Sequence, residues 1–291
     1  MGRTTALDPR ARSAIRDLLA DPVFELIPLR NLDAQADALP DRAAVSVTAS
    51  AARGIEATVA ASERLAERGF RVTPHLSARL IRDRDHLRAL LDRLVAARIS
   101  RVFVIGGDAD EPGAFPDALS LLRAIGETGV RFDEVGIAAY PEGHPDIPAA
   151  RLLEALAAKQ PFATSMTTQL CFDPEAIRRW LRARRDDGIT LPVVIGLPGV
   201  AELRKLLSIS ARIGVADSRR FLRKNTRLVG RLVRPGGFDP DALLAGLAPL
   251  VVDPALGIRG VHLYTFNQAE ATADWLRAYR DALGVPAGVA S

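Results

Sequence analysis

The chain has 291 residues, of which 48% are hydrophobic and 25% charged, a profile typical of a globular protein with an ample core. No apolar run approaches the roughly 20 residues that a membrane-spanning helix needs. The amino-terminal stretch has arginines but no apolar core, so we expect no export signal. The single cysteine, Cys171, excludes an intrachain disulfide framework and a cysteine-based zinc site. Together these features predict a cytoplasmic protein without membrane association.

The charge is mildly basic, with a formal net charge of +4 and a pI of about 9.7. Much of the excess lies in the arginine-rich segment 203–234. That segment has no series of stacking aromatic residues, no zinc pattern and no helix-turn-helix signature, so we do not expect a nucleic-acid partner. A solvated helical face, or a rim that attracts a small polyanionic substrate, explains it better.

Taken in chain order, an amphipathic helix near residues 8–20 is followed by short apolar runs that alternate with helical segments. The runs are continuously apolar, as strands of a parallel sheet buried on both faces are. The segment 83–99 carries leucines at helical spacing, with Asp83 or Asp85 as its cap. Eight strands are predicted, at residues 24–28, 44–50, 71–77, 101–107, 134–140, 162–169, 192–198 and 260–266.

Eight strand–helix units within about 250 residues indicate an α/β protein, specifically a (β/α)8 TIM barrel. A doubly wound open sheet is the alternative, but the first predicted strand is not followed by its glycine-rich turn. About 60 residues separate the seventh and eighth strands, enough for a long helical insertion. No low-complexity linker divides the chain, so residues 1–291 are predicted to form a single domain.

Polar residues recur near the ends of the predicted strands. In a (β/α)8 barrel the carboxyl ends of all strands meet at the mouth that carries the active site. We therefore expect these residues to surround one cavity. They are Glu25, Thr48, His75, Asp108, Tyr140 with His144, Gln169 and Asn267.

Glu25 and Asp108 have the clearest chemical interpretation. Glu25 lies between apolar neighbours, where lost hydration raises a carboxyl pKa and suits a general acid; the alternative is an edge-strand glutamate facing solvent. Asp108 follows Gly106 and Gly107, which let the backbone approach a ligand closely, and it can accept hydrogen bonds from an N–H-rich heterocycle. Its alternative is to cap a helix that begins near residue 115, or to form a loop turn.

The other strand-end residues suit ligand contacts of several kinds. Tyr140 and His144 share a short loop stiffened by prolines, and at least one of them is expected to touch a ligand. Gln169 suits recognition of an amide, or else a hydrogen-bonded turn. His75 can stack on a ligand or be a core residue with its hydrogen bonds satisfied.

The four histidines show no metal-ligand spacing, and no Walker or nucleophile-elbow motif is present.

These strand-end motifs, in this order, resemble the methylenetetrahydrofolate reductase family over nearly the full length of the chain. The more specific ones are AYPEGHP, TQ-x-x-FD and G-x-H-x-Y-T-x-N. The matching segments are ELIPL (25–29), SVTAS (46–50), PHLS (74–77), GGD (106–108), AYPEGHP (139–145), TTQLCFD (167–173) and GVHLYTFN (260–267).

The resemblance implies an oxidoreductase that reduces 5,10-methylenetetrahydrofolate to 5-methyltetrahydrofolate. It implies NADH or NADPH as hydride donor and FAD as the intermediate carrier, with reduced folate as the small-molecule partner. Glu25 would be the acid that opens the five-membered ring, while Asp108 and Gln169 would hold the folate. Contacts to the cofactor would come from Thr48, His75, Gly107, Asp108, Tyr140 and His144.

Several departures from the family pattern remove positive charge near the flavin and folate. Gly106 and Gln268 stand where the family often has arginine, and Lys159 is the only cation in the segment before TTQLCFD. Two alternatives therefore stay open: FAD is weakly bound, or it is absent and nicotinamide delivers hydride directly to the folate. A non-catalytic folate- or nucleotide-binding barrel with a regulatory role is the alternative to an enzyme. Homo-oligomer formation and the choice between NADH and NADPH are also left open.

Overall fold

A computed structural model describes residues 7–200 and 240–284. In it, eight parallel strands form a closed barrel in sequence order, which confirms the predicted (β/α)8 fold. The arginine-rich segment 203–234, and with it most of the predicted insertion, lies outside the described residues. The strands are β1 (Val23–Leu26), β2 (Ala44–Val47), β3 (Arg71–Ser77), β4 (Arg101–Ile105), β5 (Glu134–Ala139), β6 (Ser165–Thr168), β7 (Val193–Pro198) and β8 (Ile258–Tyr264).

Helices surround the barrel and follow the strands in turn. The described helices are α1 (Pro9–Leu18), α2 (Leu32–Asp37), α3 (Gly54–Glu67), α4 (Arg84–Ala96), α5 (Ala118–Glu127), α6 (Ala149–Lys159), α7 (Pro174–Asp186), α8 (Asp241–Val251) and α9 (Ala269–Ala282). The predicted leading helix is α1, which packs against α8 and β8. Within these residues, none of the helices combines the length and apolar character that crossing a bilayer needs.

Local sequence signals set the helix boundaries. Asp8 caps α1 by accepting a hydrogen bond from the Ala11 amide at 2.8 Å, and Pro9 occupies the first helical position. Asp83 is the cap of α4, as predicted, and accepts from the His86 amide at 2.7 Å. Because Asp8 and Asp83 accept from otherwise unpaired amides, each helix begins at the residue that follows its cap.

The core forms between the barrel and the helices. Most side chains of β1 to β8 that face the helices are buried aliphatic residues, for example Val45, Val104, Ile195 and Leu263. They pack against the apolar faces of the surrounding helices in one continuous cluster. Burial of this aliphatic area, at about 25 cal/mol per Å², holds the helical layer on the barrel and frees the inward-facing positions for other side chains.

The amino-terminal end of the barrel is occupied by ion pairs. Arg101 and Arg259 both pair with Glu134, at 3.7 and 3.4 Å, and the second pair joins two strands that are not neighbours. Arg71 pairs with Asp21 at the same end. These charges are partly exposed, so each pair contributes little to stability, about 1 kcal/mol or less. Side chains suited to chemistry lie at the opposite end.

Six of the eight observed strands end one to three residues before the predicted ones, as β2 does at Val47, and two of the differences have local causes. In the run 162–169, the strand β6 begins only at Ser165. A 3-10 turn, Gln160–Phe162, extends into the start of the run, and Pro161 in that turn has no amide hydrogen to donate to a sheet. The run 260–266 is displaced, since β8 begins at Ile258 and ends before Phe266 and Asn267, which both have left-handed backbone (φ 53° and 55°). That turn directs the Asn267 side chain back toward the first strand.

Glycines at two inward positions make room for aromatic rings. A methyl group at Gly136 would lie 2.6 Å from the ring of Phe103. At Gly196 it would lie 2.1 Å from the Thr168 carbonyl oxygen and 2.6 Å from the ring of Tyr264. Because the Thr168 carbonyl belongs to the paired backbone, it cannot move aside as a flexible side chain can.

We therefore expect Gly196→Ala to lower the free energy of unfolding by roughly 1–3 kcal/mol. Gly260→Ala is the matched control, because Gly260 also lies in a barrel strand but a methyl group there meets nothing within 4 Å. The control should change stability by less than about 1 kcal/mol. Urea unfolding followed by circular dichroism checks both, and equal effects of the two substitutions would contradict the packing explanation.

Candidate active site

The residues predicted from strand ends lie at the carboxyl-terminal end of the barrel. Glu25 and His75 belong to strands β1 and β3, near their carboxyl ends. The others follow strands β2, β4, β5, β6 and β8 directly in the loops; they are Thr48, Asp108, Tyr140 with His144, Gln169 and Asn267. Since all eight strands are parallel, these positions share one rim.

Glu25 points into the barrel and contacts a histidine from the last strand. The Glu25 Oε2 atom lies 3.3 Å from His262 Nε2, and the two side chains are only 14% and 7% exposed. The backbone carbonyl of Glu25 accepts a hydrogen bond from the Thr265 hydroxyl at 2.5 Å. His262 thus contacts the carboxyl group where little water reaches it, and Thr265 fixes the backbone of the same residue.

His262 and Tyr264 stand two residues apart on β8, so their side chains lie on the same face of the strand. Their rings are 4.9 Å apart. The Tyr264 hydroxyl donates to the Thr168 carbonyl at 3.0 Å, and burial, with Glu25 and Tyr140 adding to it, raises the pKa of Tyr264 well above its ordinary value. Tyr264 therefore stays protonated and forms a fixed wall beside the Glu25–His262 pair.

His75 lies deep in the same interior. Its Nε2 atom is 2.6 Å from the Ser46 hydroxyl, and its ring is 4.8 Å from that of Phe103. Burial lowers the pKa of His75 to about 4, while Glu25 opposes this shift and His262 adds to it. The ring is accordingly neutral at pH 7 and already has a hydrogen-bond partner, which matches the satisfied core residue among the sequence alternatives.

The loop after β4 is fastened by an arginine. Arg79 donates through Nε to the Ala109 carbonyl at 2.5 Å and through Nη2 to the Asp110 carbonyl at 2.7 Å. Gly107 has φ +89°, and a methyl group there would lie 2.0 Å from Ser77 Oγ. The close approach that requires Gly107 is thus to Ser77, where the sequence suggested approach to a ligand.

Asp108 is exposed at the rim, and its side chain has no hydrogen bond or ion pair to any residue in the described ranges. Asp117, rather than Asp108, caps the following helix, and it accepts from the Ser120 amide at 2.8 Å. The capping alternative for Asp108 is therefore wrong, because α5 begins at Ala118. An exposed carboxylate at a strand end is available to a ligand.

The loop after β5 presents an aromatic pair. Tyr140 and His144 pack edge to face with ring centres 5.4 Å apart. His144 Nδ1 accepts from the Asp146 amide at 3.2 Å, and Gly143, with φ +81°, allows the tight turn between the two rings. Burial raises the pKa of Tyr140. The loop is built around its own contacts, and its two rings are half-buried at the rim.

Gln169, Thr48 and Asn267 complete the rim. The Gln169 Oε1 atom accepts from the Leu170 amide at 2.8 Å, so the oxygen belongs to a local turn and the amide NH2 is the remaining donor. The half-buried Thr48 uses its backbone to bond both Leu26 and Thr58. Asn267 Oδ1 accepts from the Ile27 amide at 3.1 Å and so links the last loop to the first.

Sequence reasoning did not single out Ser46, His262 or Tyr264 as site residues. His262 and Tyr264 are two residues apart in the strand motif GVHLYTF, so both side chains lie on the same face of the strand. This spacing was the sequence signal that could have identified them as a pair. The sequence did not give the register of β1 against β8, in which Val23 faces His262 and Glu25 faces Tyr264.

Among the described residues, no group of three or more histidine, cysteine or acidic side chains is placed to hold a metal ion.

The shifted pKa of His75 predicts how stability depends on pH. Because the folded pKa of about 4 lies below the ordinary 6.5, the unfolded chain binds a proton that the folded chain does not. Stability should therefore fall as the pH drops from about 6.5 to about 4, by roughly 3 kcal/mol at most from this group. Urea unfolding at several pH values checks this against His75→Gln, which keeps a hydrogen-bonding group but does not titrate. A parallel fall in both proteins would remove His75 as the cause.

Comparison with known proteins gives a consistent picture. The family model described as Methylenetetrahydrofolate reductase matches residues 29–216, more than half of the chain. A 5,10-methylenetetrahydrofolate reductase of Pectobacterium carotovorum subsp. carotovorum is 27% identical over 214 residues, which cover 69% of this chain and 67% of that protein. A Caenorhabditis elegans protein named "Probable methylenetetrahydrofolate reductase (NADPH)" is 28% identical over 130 residues, 41% of this chain and 20% of that protein.

Among solved structures, tryptophan synthase from M. tuberculosis in its aminoacrylate- and BRD0059-bound form aligns over 97% of this chain and 99% of that one. The TM-score is 0.48 at 15% identity, too low to bear on function. The family match rests instead on sequence, and it spans the strands and loops that carry Thr48, His75, Asp108, Tyr140 and Gln169. The chain belongs to the methylenetetrahydrofolate reductase family.

Proposed function

We propose that this protein reduces 5,10-methylenetetrahydrofolate to 5-methyltetrahydrofolate with NADH or NADPH as the hydride donor. The observation that carries the proposal is the Glu25–His262 contact of 3.3 Å inside the barrel mouth. A carboxyl group that is only 14% exposed is costly to bury without a use. Family membership supplies the reaction class.

The reaction needs a proton and a hydride at neighbouring atoms. Opening the five-membered ring breaks the bond between the bridging carbon and one folate nitrogen, and the electron pair left on that nitrogen takes a proton. We assign this proton transfer to the Glu25 carboxyl. The bridging carbon remains doubly bonded to the other nitrogen as an iminium ion, and hydride addition converts it to the methyl group.

His262 acts as a positioning residue in this scheme. Its Nε2 atom lies 3.3 Å from one Glu25 oxygen, so the other oxygen can face the folate. Tyr264 limits movement of the His262 ring, since the two rings are 4.9 Å apart and the Tyr264 hydroxyl is tied to Thr168. A fixed acid near the ring nitrogen removes the entropy cost of orienting it during the reaction.

Asp108 and Gln169 are assigned to folate recognition. The exposed Asp108 carboxylate suits the N–H donors of a pterin, and the free NH2 of Gln169 suits a folate carbonyl or ring nitrogen. Tyr140 and His144 offer ring faces and edges at the rim, which suit contact with a nicotinamide or another planar ring. His75 is buried and supports the wall of the site, whereas the half-buried Thr48 and the exposed Gly107 lie at the rim, where a cofactor can contact them.

Flavin adenine dinucleotide fits these residues poorly. Its diphosphate calls for charge-assisted contacts, each typically about 1.5–3 kcal/mol. Arg79, which reaches the loop after β4, already donates to the Ala109 and Asp110 carbonyls. On α6, Arg151 pairs with Glu154 on the exposed surface, which leaves Lys159 as the one cation of this helix that could meet a group with two phosphates. We therefore propose that nicotinamide delivers its hydride directly to the folate iminium and that flavin is not required.

The cytoplasmic location and a possible assembly into homo-oligomers remain predictions from the sequence. That neither a nucleic acid nor a membrane is a partner also remains a prediction from the sequence.

Glu25→Gln tests the acid. The substitution keeps the shape and hydrogen-bonding capacity of the side chain but removes the transferable proton. It should lower kcat by roughly 10²–10⁴-fold while folate still binds. Turnover is followed by NADH oxidation at 340 nm, and folate binding by calorimetry.

Glu134→Gln is the matched control, because Glu134 is also a strand glutamate but lies at the opposite end of the barrel. It should retain turnover. Undiminished kcat in Glu25→Gln would remove Glu25 from the proposed role. A wild-type protein that binds folate without turnover would favour the non-catalytic barrel.

Direct hydride transfer makes a separate prediction. The purified protein should be colourless, and its rate of NADH oxidation with methylenetetrahydrofolate should not rise when FAD is added. With NADH deuterated at the transferred position, the label should appear in the methyl group of the product without loss to solvent. A yellow protein, or activity only with added FAD, would contradict direct transfer and leave the assignment of Glu25 intact.

A further inference from the structure

The loop that carries Asp108 is attached to the residues that follow strand β3. We refer to residues 106–114 as the Asp108 loop. The Arg79 amide donates to the Gly106 carbonyl at 3.0 Å, and the Gly113 amide donates to the Arg79 carbonyl at 3.1 Å. The backbone of Arg79 therefore holds both ends of the Asp108 loop.

Two glycines let the Asp108 loop lie against those residues without a gap. A methyl group on Gly107 would lie 2.0 Å from Ser77 Oγ, and one on Gly113 would lie 2.0 Å from the Ile81 carbonyl oxygen. The Ile81 carbonyl accepts a hydrogen bond from the Ala114 amide at 3.1 Å, so it is not free to move aside. A larger residue at either glycine would push the loop away, which means that the close contact is part of the fold.

Between its two ends, the Asp108 loop is held by the Arg79 side chain. The Nε atom donates to the Ala109 carbonyl at 2.5 Å, and the Nη2 atom donates to the Asp110 carbonyl at 2.7 Å. We refer to these two hydrogen bonds as the Arg79 clamp. Residues 107–112 form no other hydrogen bond within the part of the chain that the structure describes. Because a guanidinium donor makes strong, charge-assisted hydrogen bonds, the clamp sets the path of the backbone directly after Asp108.

The Asp108 loop concentrates negative charge. It contains Asp108, Asp110 and Glu111, all exposed, and their carboxylates form no ion pair with any residue in the described ranges. Like charges so close along the chain repel one another, and this repulsion favours a loop in which Asp108 takes many positions. The positive charge of Arg79, bonded to carbonyls of the same loop, offsets the repulsion and limits those positions.

We infer that Arg79 is a positioning residue for Asp108: it fixes the backbone beside the carboxylate, so that Asp108 meets the substrate in one orientation. The inference rests on the function proposed above, in which Asp108 accepts hydrogen bonds from the folate. A carboxylate that is already held in place loses less conformational entropy on binding, so the Arg79 clamp acts on substrate affinity. Proton transfer from Glu25, which belongs to β1, does not depend on it.

Substitutions of Arg79 separate substrate affinity from turnover. Arg79→Met keeps the aliphatic stem but removes the clamp and the charge, so it should raise KM for methylenetetrahydrofolate by about tenfold while kcat changes by less than about twofold. Arg79→Lys keeps the charge and one donor and should recover part of the loss. Arg82→Met is the matched control, because the Arg82 side chain is exposed and forms no hydrogen bond or ion pair among the described residues. The control should keep the wild-type KM, whereas a wild-type KM in Arg79→Met would overturn the inference.

A double-mutant cycle decides whether Arg79 acts through Asp108. Asp108→Asn keeps the size of the side chain, removes its charge and should raise KM by about tenfold or more. In that background, Arg79→Met should raise KM further by less than about twofold, because no carboxylate is left to position. Another tenfold rise, in line with additivity, would show that Arg79 acts on the substrate independently of Asp108 and would overturn the inference.

Limited proteolysis tests the Arg79 clamp without any substrate. A protease that cleaves before aspartate reports on the bonds before Asp108 and Asp110, and mass spectrometry identifies the fragments. Cleavage there should be about tenfold faster or more in Arg79→Met than in the wild type or Arg82→Met, with other sites cut at the wild-type rate. Unchanged cleavage would overturn the clamp whatever the kinetics show. If the wild type neither binds nor reduces the folate, the proposed function fails and the role of Arg79 in substrate binding fails with it, while the cleavage rates still report on the clamp.

Discussion

The pairing of the first strand with the last is the constraint on which the rest of the structure depends. It closes the barrel and brings Glu25 within 3.3 Å of His262, although the two residues are 237 positions apart in the chain. The register, with Glu25 facing Tyr264, fixes which residues meet. A shift by one residue would turn Glu25 toward the helices, where aliphatic side chains pack. Two hydrogen bonds reinforce that register: the Thr265 hydroxyl donates to the Glu25 carbonyl, and the Ile27 amide donates to Asn267 Oδ1.

The interior of the barrel combines polar groups with aromatic walls, and the two depend on each other. Glycines at 136 and 196 leave space for Phe103 and Tyr264, which in turn exclude water from the polar side chains. Without that exclusion His75 would titrate near its ordinary value. The polar groups are paired in spite of their burial: His75 with Ser46, and Glu25 with His262. Paired groups of this kind can be buried because each loses water but gains a partner.

The two ends and the outer face of the barrel have different chemistry. The amino-terminal end carries ion pairs among Arg101, Glu134 and Arg259. The carboxyl end carries Glu25, the proposed acid, and the rim side chains that are proposed to bind ligands. Beside that rim, Leu152, Leu153 and Lys159 of α6 line a cleft whose other wall is Trp180 of α7.

The sequence by itself determined the fold, because continuous apolar strands separated by amphipathic helices have few other ways to bury their surface. It also determined that Glu25, Asp108, Tyr140 and Gln169 would share a rim, since parallel strands end together. Only the tertiary structure decided the partners: the His262 contact, the neutral His75 and the role of Gly107 beside Ser77 all follow from strand register and from the volumes of side chains across the barrel. The register of two strands and the fit of side-chain volumes across the barrel each depend on two segments far apart in the chain. The residue pattern of one segment alone therefore does not specify them.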